Sequence, residues 1–546
     1  MRIPLLTLTL LSLPVAGAIS QQATSAAGRV AAAADSNSLR AHLEFLADDA
    51  LEGRRPGTRG AELAAKYIAA QFSRLGLEPA GDSGTYYHQV RIITLTPTPT
   101  LKLLGASAPA LEYRKDYVLW SMRNEPVTAA KGDLVFVGYG IVAPEQGWND
   151  YEGVDVKNKI VVALVNDPGL RDSTIFRGPI LTYYGRWTYK IEEARRQGAA
   201  GILLVHTTES ATYPWTTVQS GWTGPQVRIE EPPTSLLVAG WLSTEAASRL
   251  FQADGKNLDQ LMDQAATRQF RAVPLGVQVD ASVRSAITRS ETSNVLGRWP
   301  GKGSLANEAV LITGHYDHFG IGTAIDGDSI YNGAEDNASG TAAVLAAAEA
   351  FARSGVRTGR SMVFVAFTAE EAGLLGSQAL VARPTIRLDR IAAILNLDVM
   401  NLYGRTRDVS ALGLDQSSLG PVFNQAAAAE GLKVSVNQDA LLHGSYFRSD
   451  HFPFARAGVP GTSIENGEQY IGQPAGYGHD KKTEYTEKRY HQPSDEVLPW
   501  FTQAGAIQQL RVIVRTAVAV GNAASQPVWN KNSEFREAGE KRRQGR

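Results

Sequence analysis

Ala309-Val310-Leu311-Ile312-Thr313-Gly314-His315-Tyr316-Asp317-His318 is the stretch on which the fold turns. The run Ala309 to Thr313 has the length and apolar character of a buried strand, and it ends on histidines and a carboxylate. Two more runs repeat the arrangement. Met362-Val363-Phe364-Val365-Ala366-Phe367 precedes Glu370-Glu371, and Ile391-Ala392-Ala393-Ile394-Leu395 leads into Asn396-Leu397-Asp398. Glu335-Asp336-Asn337 falls between the first and second runs, and Tyr490-His491 follows them all. Helical patterns are predicted at 339–353, 420–430 and 501–522, so residues 292–525 read as strand–loop–helix units and hence a mostly parallel sheet flanked by helices. In such α/β sheets ligands bind beyond the carboxyl ends of the strands, which is where these polar groups fall.

Composition narrows the chemistry. The chain has 546 residues, enough for two or three domains. Its net charge of −1 gives no electrostatic case for nucleic acid or an anionic membrane as partner. There is no cysteine, so disulfides, thiolate zinc sites and cysteine nucleophiles are excluded, and any metal rests on His, Asp and Glu. Of nine histidines, six lie between residues 315 and 491.

Residues 1–18 combine one Arg, a short apolar run broken by Pro4 and Pro14, and Ala16-Gly17-Ala18. They read as a cleaved export signal, which implies a periplasmic or secreted protein without a stable membrane anchor. Residues 19–35 read as disordered. Residues 36–127 form the first part of the main domain, with amphipathic helices at 39–51 and 61–75, and short strands across 84–120. Residues 128–240 read as an inserted β-rich domain, with strands at 133–137, 159–165 and 201–205 around a helix at 189–197. Residues 241–525 complete the catalytic domain, with a helix at 244–251, and 526–546 form a polar, frayed tail.

Zinc accepts imidazole nitrogen and carboxylate oxygen, and catalytic sites leave a position for water. His315 ends a strand, and Asp317 is placed to hold its other ring nitrogen. Asp336 sits among small residues, Asn332-Gly333-Ala334-Glu335-Asp336-Asn337-Ala338-Ser339-Gly340, before a helix starting near Asn337. A carboxylate there can bridge two cations. Glu370 and Glu371 diverge, so one can bind metal while the other faces water. Asp398 ends the next strand. His491 lies on a long loop after Gly478, and the Tyr490 phenol is a candidate oxyanion donor. Individually these patterns are ordinary: adjacent glutamates are usually a solvated helix face, and Tyr-His in a loop is usually surface. Their joint order at strand ends points to a hydrolytic metal site.

The set His315-x-Asp317, Gly333 to Gly340, Glu370-Glu371, Asn396-Leu397-Asp398 and Tyr490-His491 resembles the co-catalytic dizinc aminopeptidases of metallopeptidase family twenty-eight. Glu52-Gly53-Arg54-Arg55-Pro56-Gly57-Thr58 is similar to a motif near the N-terminus of that family. Arg448-Ser449-Asp450-His451-Phe452-Pro453-Phe454 is similar to its substrate-side loop, which makes Arg448 and Asp450 candidate substrate contacts. Residues 128–240 resemble a protease-associated domain. The resemblance implies a zinc-exopeptidase-like fold, of the phosphorylase/hydrolase-like class, acting on peptides. It implies two Zn2+, one held by His315, Asp336 and Asp398 and one by Asp336, Glu371 and His491. It also implies Glu370 as general base and a cis peptide after Asp336. Glu335 departs from the Asp common at that position, which is not a ligand.

Two related activities also fit: a glutamate-carboxypeptidase-like exopeptidase, which needs an arginine-rich pocket that Arg448 alone does not establish, and a single-zinc glutaminyl-cyclase-like acyltransferase. A non-catalytic binding protein would be expected to have broken ligands, and none is broken. No HExxH or GxSxG is present, and Gly138-Tyr139-Gly140 is followed by Pro144 and Trp148 rather than by a dinucleotide-binding helix. Trp187, Trp215 and Trp222 read as core. Phe447, Phe452 and Tyr477 hint at an apolar pocket.

Overall fold

The computed structural model describes residues 25–105, 107–230 and 234–545; the predicted export signal lies outside them. Strands Gly461–Glu465, Ile391–Leu397, Ala309–His315 and Ser361–Phe367 hydrogen-bond side by side in that order, all parallel. Every residue of the last three is buried, as expected for strands covered on both faces. Val310 and Ile312 face a core completed by helices Ser339–Ser354 and Ala504–Asn522. Ala309 and Leu311 turn the other way, towards Val363, Val365, Phe367, Ile394 and Phe454. Each fully buried Val, Ile or Phe contributes about 1.5–3 kcal/mol, so a one-residue slip of any strand would exchange both cores at once.

A second parallel block extends the same sheet. Strands Val127–Phe136, Ile160–Leu164, Gly201–Val205 and Val238–Leu242 run parallel, closed by antiparallel Tyr117–Ser121. The block carries helix Trp187–Arg196. Its clusters also draw in Leu250, Phe251 and Leu261, beyond residue 240. One strand, Val273–Trp299, joins the blocks. Residues 295–299 pair with Ser361–Phe367, and residues 273–284 pair with Val127–Phe136. Strand Tyr87–Leu104 lies antiparallel along it from Tyr87↔Val295 to Leu104↔Gln278.

Four expectations are corrected here. The short strands predicted across 84–120 are mainly one strand of 18 residues. Its Pro97 and Pro99 are tolerated because strand Gln226–Ile229 covers its other edge only at 92–95. Within the segment expected to be disordered, Ala26–Ala32 is a helix. Ser25 Oγ accepts from Gly28 N–H, and Val30 is buried against the core. The predicted frayed tail is docked: Trp529 and Phe535 are buried, Trp529 donates to the Gly458 carbonyl, and Arg542 in helix Arg536–Arg543 donates to the Leu388 and Ile391 carbonyls. Its charged residues concealed these anchors. His491 is not on a long loop: helix Tyr477–Lys488 occupies that segment, and His491 follows it by three residues. Among the described residues no helix is long and apolar enough to cross a membrane.

Candidate metal centre

His315 is the last residue of its strand, and Asp398 directly follows Ile391–Leu397. Glu370 and Glu371 occupy the turn after Ser361–Phe367, not a helix face. Asp336 enters from a wide turn, Ala334–Ala338, that precedes helix Ser339–Ser354, which begins where the pattern at 339–353 places it, and the Asp336–Asn337 peptide is cis. Asn337 fastens this turn to the sheet edge. Its amide donates to the Leu397 carbonyl at 2.9 Å and accepts from Gly340 and Val399 N–H. A Cβ on Gly340 would stand 2.2 Å from Asn337 Oδ1, and one on Gly333 (φ 54°) would stand 2.5 Å from the His318 ring. The small residues are therefore required for close approach.

The polar atoms converge in two triads sharing Asp336. His315 Nε2 lies 3.2 Å from Asp336 Oδ1 and 3.4 Å from Asp398 Oδ1. His491 Nε2 lies 3.3 Å from Asp336 Oδ2 and 3.3 Å from Glu371 Oε2. Charge-assisted N–H···O bonds are usually about 2.7–2.9 Å. Donors around a tetrahedral zinc with 2.0–2.1 Å bonds stand about 3.3–3.4 Å apart. All four observed separations exceed the first range and lie at or within about 0.1 Å of the second, so the donor set fits zinc.

The outer oxygens of Asp398 and Glu371 are tied back. Ser449 Oγ donates to Asp398 Oδ2 at 2.6 Å, and His318 Nδ1 contacts Glu371 Oε1 at 2.7 Å. Each leaves its partner's second oxygen turned to the centre. Asp495, missed in the sequence, accepts from Glu335 and Asp336 N–H at 3.0 and 3.1 Å. Glu335 is buried against Tyr403 Oη and Arg489, a network that braces the Ala334–Ala338 turn beside the Tyr490-His491 pair. Arg54 lies beneath, fully buried. Adjacency could have flagged Arg489, and the N-terminal motif contains Arg54; nothing in the sequence pointed to Asp495 or Tyr403.

Charge follows this geometry. Burial opposes ionisation of Asp336, but hydrogen bonds from His315 and His491 hold its carboxyl far below the usual range. Burial also opposes protonation of His491, yet Asp336 and Glu371 raise it to about 9. Glu370 is pushed well upward by burial and by the nearby Glu371, Asp398 and Asp450 carboxylates, against the lowering effect of His315. Its Oε2 stands 3.9 Å from His315 Nε2, and its own N–H donates to Asp317 Oδ1 at 3.1 Å.

Two predicted roles change. His315 Nδ1 faces the Asp317 main-chain carbonyl at 3.2 Å, while the carboxylate is 3.8 Å away because it accepts from Glu370 N–H instead. Asp450 is fully buried and accepts from Ser377 Oγ at 2.6 Å, so it cannot reach substrate. Arg448 does line the crevice, a cavity of about 560 Å³ that also contains His315, Asp336, Glu370, Glu371, Asp398 and Tyr490. Tyr490 stacks on His491 with ring centroids 3.7 Å apart. Phe447 and Phe452 pack in the core around Tyr183, Tyr477 packs on Tyr470, and Trp187, Trp215 and Trp222 lie against the second block's core.

Residues 294–517 match the family model for peptidase family M28. The match is confined to the segment that carries His315, Asp336, Glu370, Glu371, Asp398 and His491. It is similar to aminopeptidase YwaD of Bacillus subtilis (strain 168), 29% identical over 223 residues, covering 40% of this chain and 43% of the relative. Leupeptin-inactivating enzyme 1 of Streptomyces exfoliatus is 29% identical over 178 residues, covering 32% and 36%. The chain thus spans less than half the length of these curated relatives. The aminopeptidase from Aneurinibacillus sp. strain AM-1 superimposes with a TM-score of 0.44 at 18% identity, over 92% of this chain and 97% of that one.

Proposed function

We propose that the protein is an exported zinc aminopeptidase that removes N-terminal residues from peptides and uses two zinc ions. One observation carries the reading: the two oxygens of Asp336 are divided between His315 and His491 at the donor spacing of tetrahedral zinc. His315, Asp336 and Asp398 would hold one ion, and Asp336, Glu371 and His491 the other. Zinc held there supplies a Lewis acid that lowers the pKa of water and polarises a carbonyl.

The chain's own groups do the rest. Glu370, oriented through Asp317 and raised in pKa by burial, accepts the proton of the attacking water and returns it to the leaving amine. Tyr490 is 43% exposed, but partial desolvation of its phenol and the Asp336, Glu371, Glu370 and Asp398 carboxylates around it raise it, so it stays an O–H donor for the oxyanion that develops on the scissile carbonyl. The N-terminal direction of attack rests on similarity to proteins named aminopeptidases. The reading is tested by aminoacyl-p-nitroanilide hydrolysis, assayed in the exported fraction with and without chelator. Release that stops on chelation and returns with zinc is expected; no chelator-sensitive release from any substrate would overturn the reading.

Zinc affinity should depend on pH. Ligating histidines must be neutral, and His491 is raised to about 9 without metal, so below that pH zinc displaces a proton. The raised pKa favours the metal-free protonated state in acid, and that preference is lost as pH rises through about 9. Competition titration against a chelator should show affinity rising roughly tenfold per pH unit, per displaced proton, between pH 6 and about 9. A flat profile would contradict the role given to His491.

A further inference from the structure

We propose that Glu465 selects peptides whose N-terminal residue has a cationic side chain, lysine or arginine; this rests on the aminopeptidase reading above. Glu465 is the last residue of strand Gly461–Glu465, and the parallel register pairs Leu397 with Ile464. Asp398 and Glu465 are the next residues along these neighbouring parallel strands, so both carboxylates fall at the same end of the sheet. Asp398 belongs to the metal centre, so Glu465 borders the space that the residue being removed must occupy, and it lines the same cavity.

Its carboxylate is incompletely satisfied. Asn437 and Ser410 interact with the group, but Oε2 is shielded from solvent and has no hydrogen-bond partner. A buried acceptor left in that state is unfavourable, and a charged donor arriving with substrate relieves it. Asp439 and Glu468 line the same cavity and add negative charge. The cations nearby are otherwise engaged or screened. Lys481 pairs with Glu484 at 2.7 Å, Arg448 donates to the His443 carbonyl at 3.1 Å, and Lys482 is exposed on helix Tyr477–Lys488, where water weakens its pull on Glu465. An N-terminal lysine or arginine carries a long side chain that can bring its ammonium or guanidinium to Oε2. A norleucine side chain of similar length leaves that oxygen unpaired.

The test compares kcat/KM for lysyl, arginyl, norleucyl and leucyl aminomethylcoumarins in the zinc-loaded wild type and in Glu465→Gln. Wild type is expected to favour lysine over norleucine by roughly tenfold to a hundredfold, and the ratio should fall towards one in the variant. Equal rates for lysine and norleucine in wild type overturn the inference without recourse to the variant, so a misfolded variant does not shelter it. An unchanged ratio in Glu465→Gln overturns it too. So does a uniform loss on all four substrates, which would assign Glu465 to the α-ammonium group instead. Absence of release from every substrate would be a failure of the aminopeptidase reading itself, whereas brisk leucine release without a lysine preference would be a failure of this inference alone.

Discussion

Glu370→Gln is expected to lower turnover by roughly 10²–10⁴-fold while zinc content stays at the wild-type level. The substitution keeps the side-chain shape and leaves the main-chain N–H that donates to Asp317. It removes only the ability to take up a proton. The donors at ligand spacing are His315, Asp336, Asp398, Glu371 and His491, so metal loading should not follow activity downward. Steady-state kinetics alongside elemental analysis separates the two quantities. A variant that keeps near-normal peptidase activity would remove Glu370 from the proton-transfer role. One that loses zinc in proportion to activity would make it a ligand.

Arg54→Met should destabilise the folded protein by about 3–5 kcal/mol, the usual cost of breaking a buried charge network from one side. Arg54 is fully buried, and burial lowers it only to about 10, so it remains charged at neutral pH. Nε donates to the Tyr316 carbonyl at 2.6 Å, Nη1 to those of Asn332 at 2.7 Å and Leu46, and Nη2 to that of Gly333 at 3.1 Å. Methionine fills much of the volume but leaves these carbonyls without a donor. It also withdraws the positive charge facing Asp317, Asp495, Asp336 and Glu371. Urea denaturation of the metal-free protein measures the effect directly. A loss below about 1 kcal/mol would mean that water replaces the guanidinium, and Arg54 would then not be a structural support of the site.

The two predictions differ in how readily their residues can be read from sequence. Glu370 is visible because strand-end carboxylates and histidines recur in order, and chemistry at a sheet edge draws on few residue types. Three of the four parallel strands are equally visible, since burial on both faces writes them as unbroken apolar runs; the fourth, Gly461–Glu465, reads Gly-Thr-Ser-Ile-Glu and carries no such run. Asp495 and Tyr403 are silent for a physical reason. Asp495 acts through main-chain N–H groups that every residue carries, and Tyr403 meets Glu335 across 68 positions of chain. Arg54 also addresses only carbonyls, so its motif marks it without explaining it. The 27-residue strand Val273–Trp299 was concealed because its partners lie far away in sequence and change along its length. The anchors of the tail, Trp529 and Phe535, are two aromatic residues in an otherwise charged segment, and average composition hides them.

That long strand bears on how substrate reaches the crevice. The same backbone is bonded to Ser361–Phe367 at one end and to the second block at the other, with Tyr87–Leu104 laid along most of its length as a splint. Swinging the blocks apart like jaws would tear main-chain hydrogen bonds rather than flex a linker. Under the proposed function, entry and product escape would therefore fall to side chains and loops at the cavity mouth, and the distance between the His315–Asp336 cluster and the second block is fixed like the span of a beam.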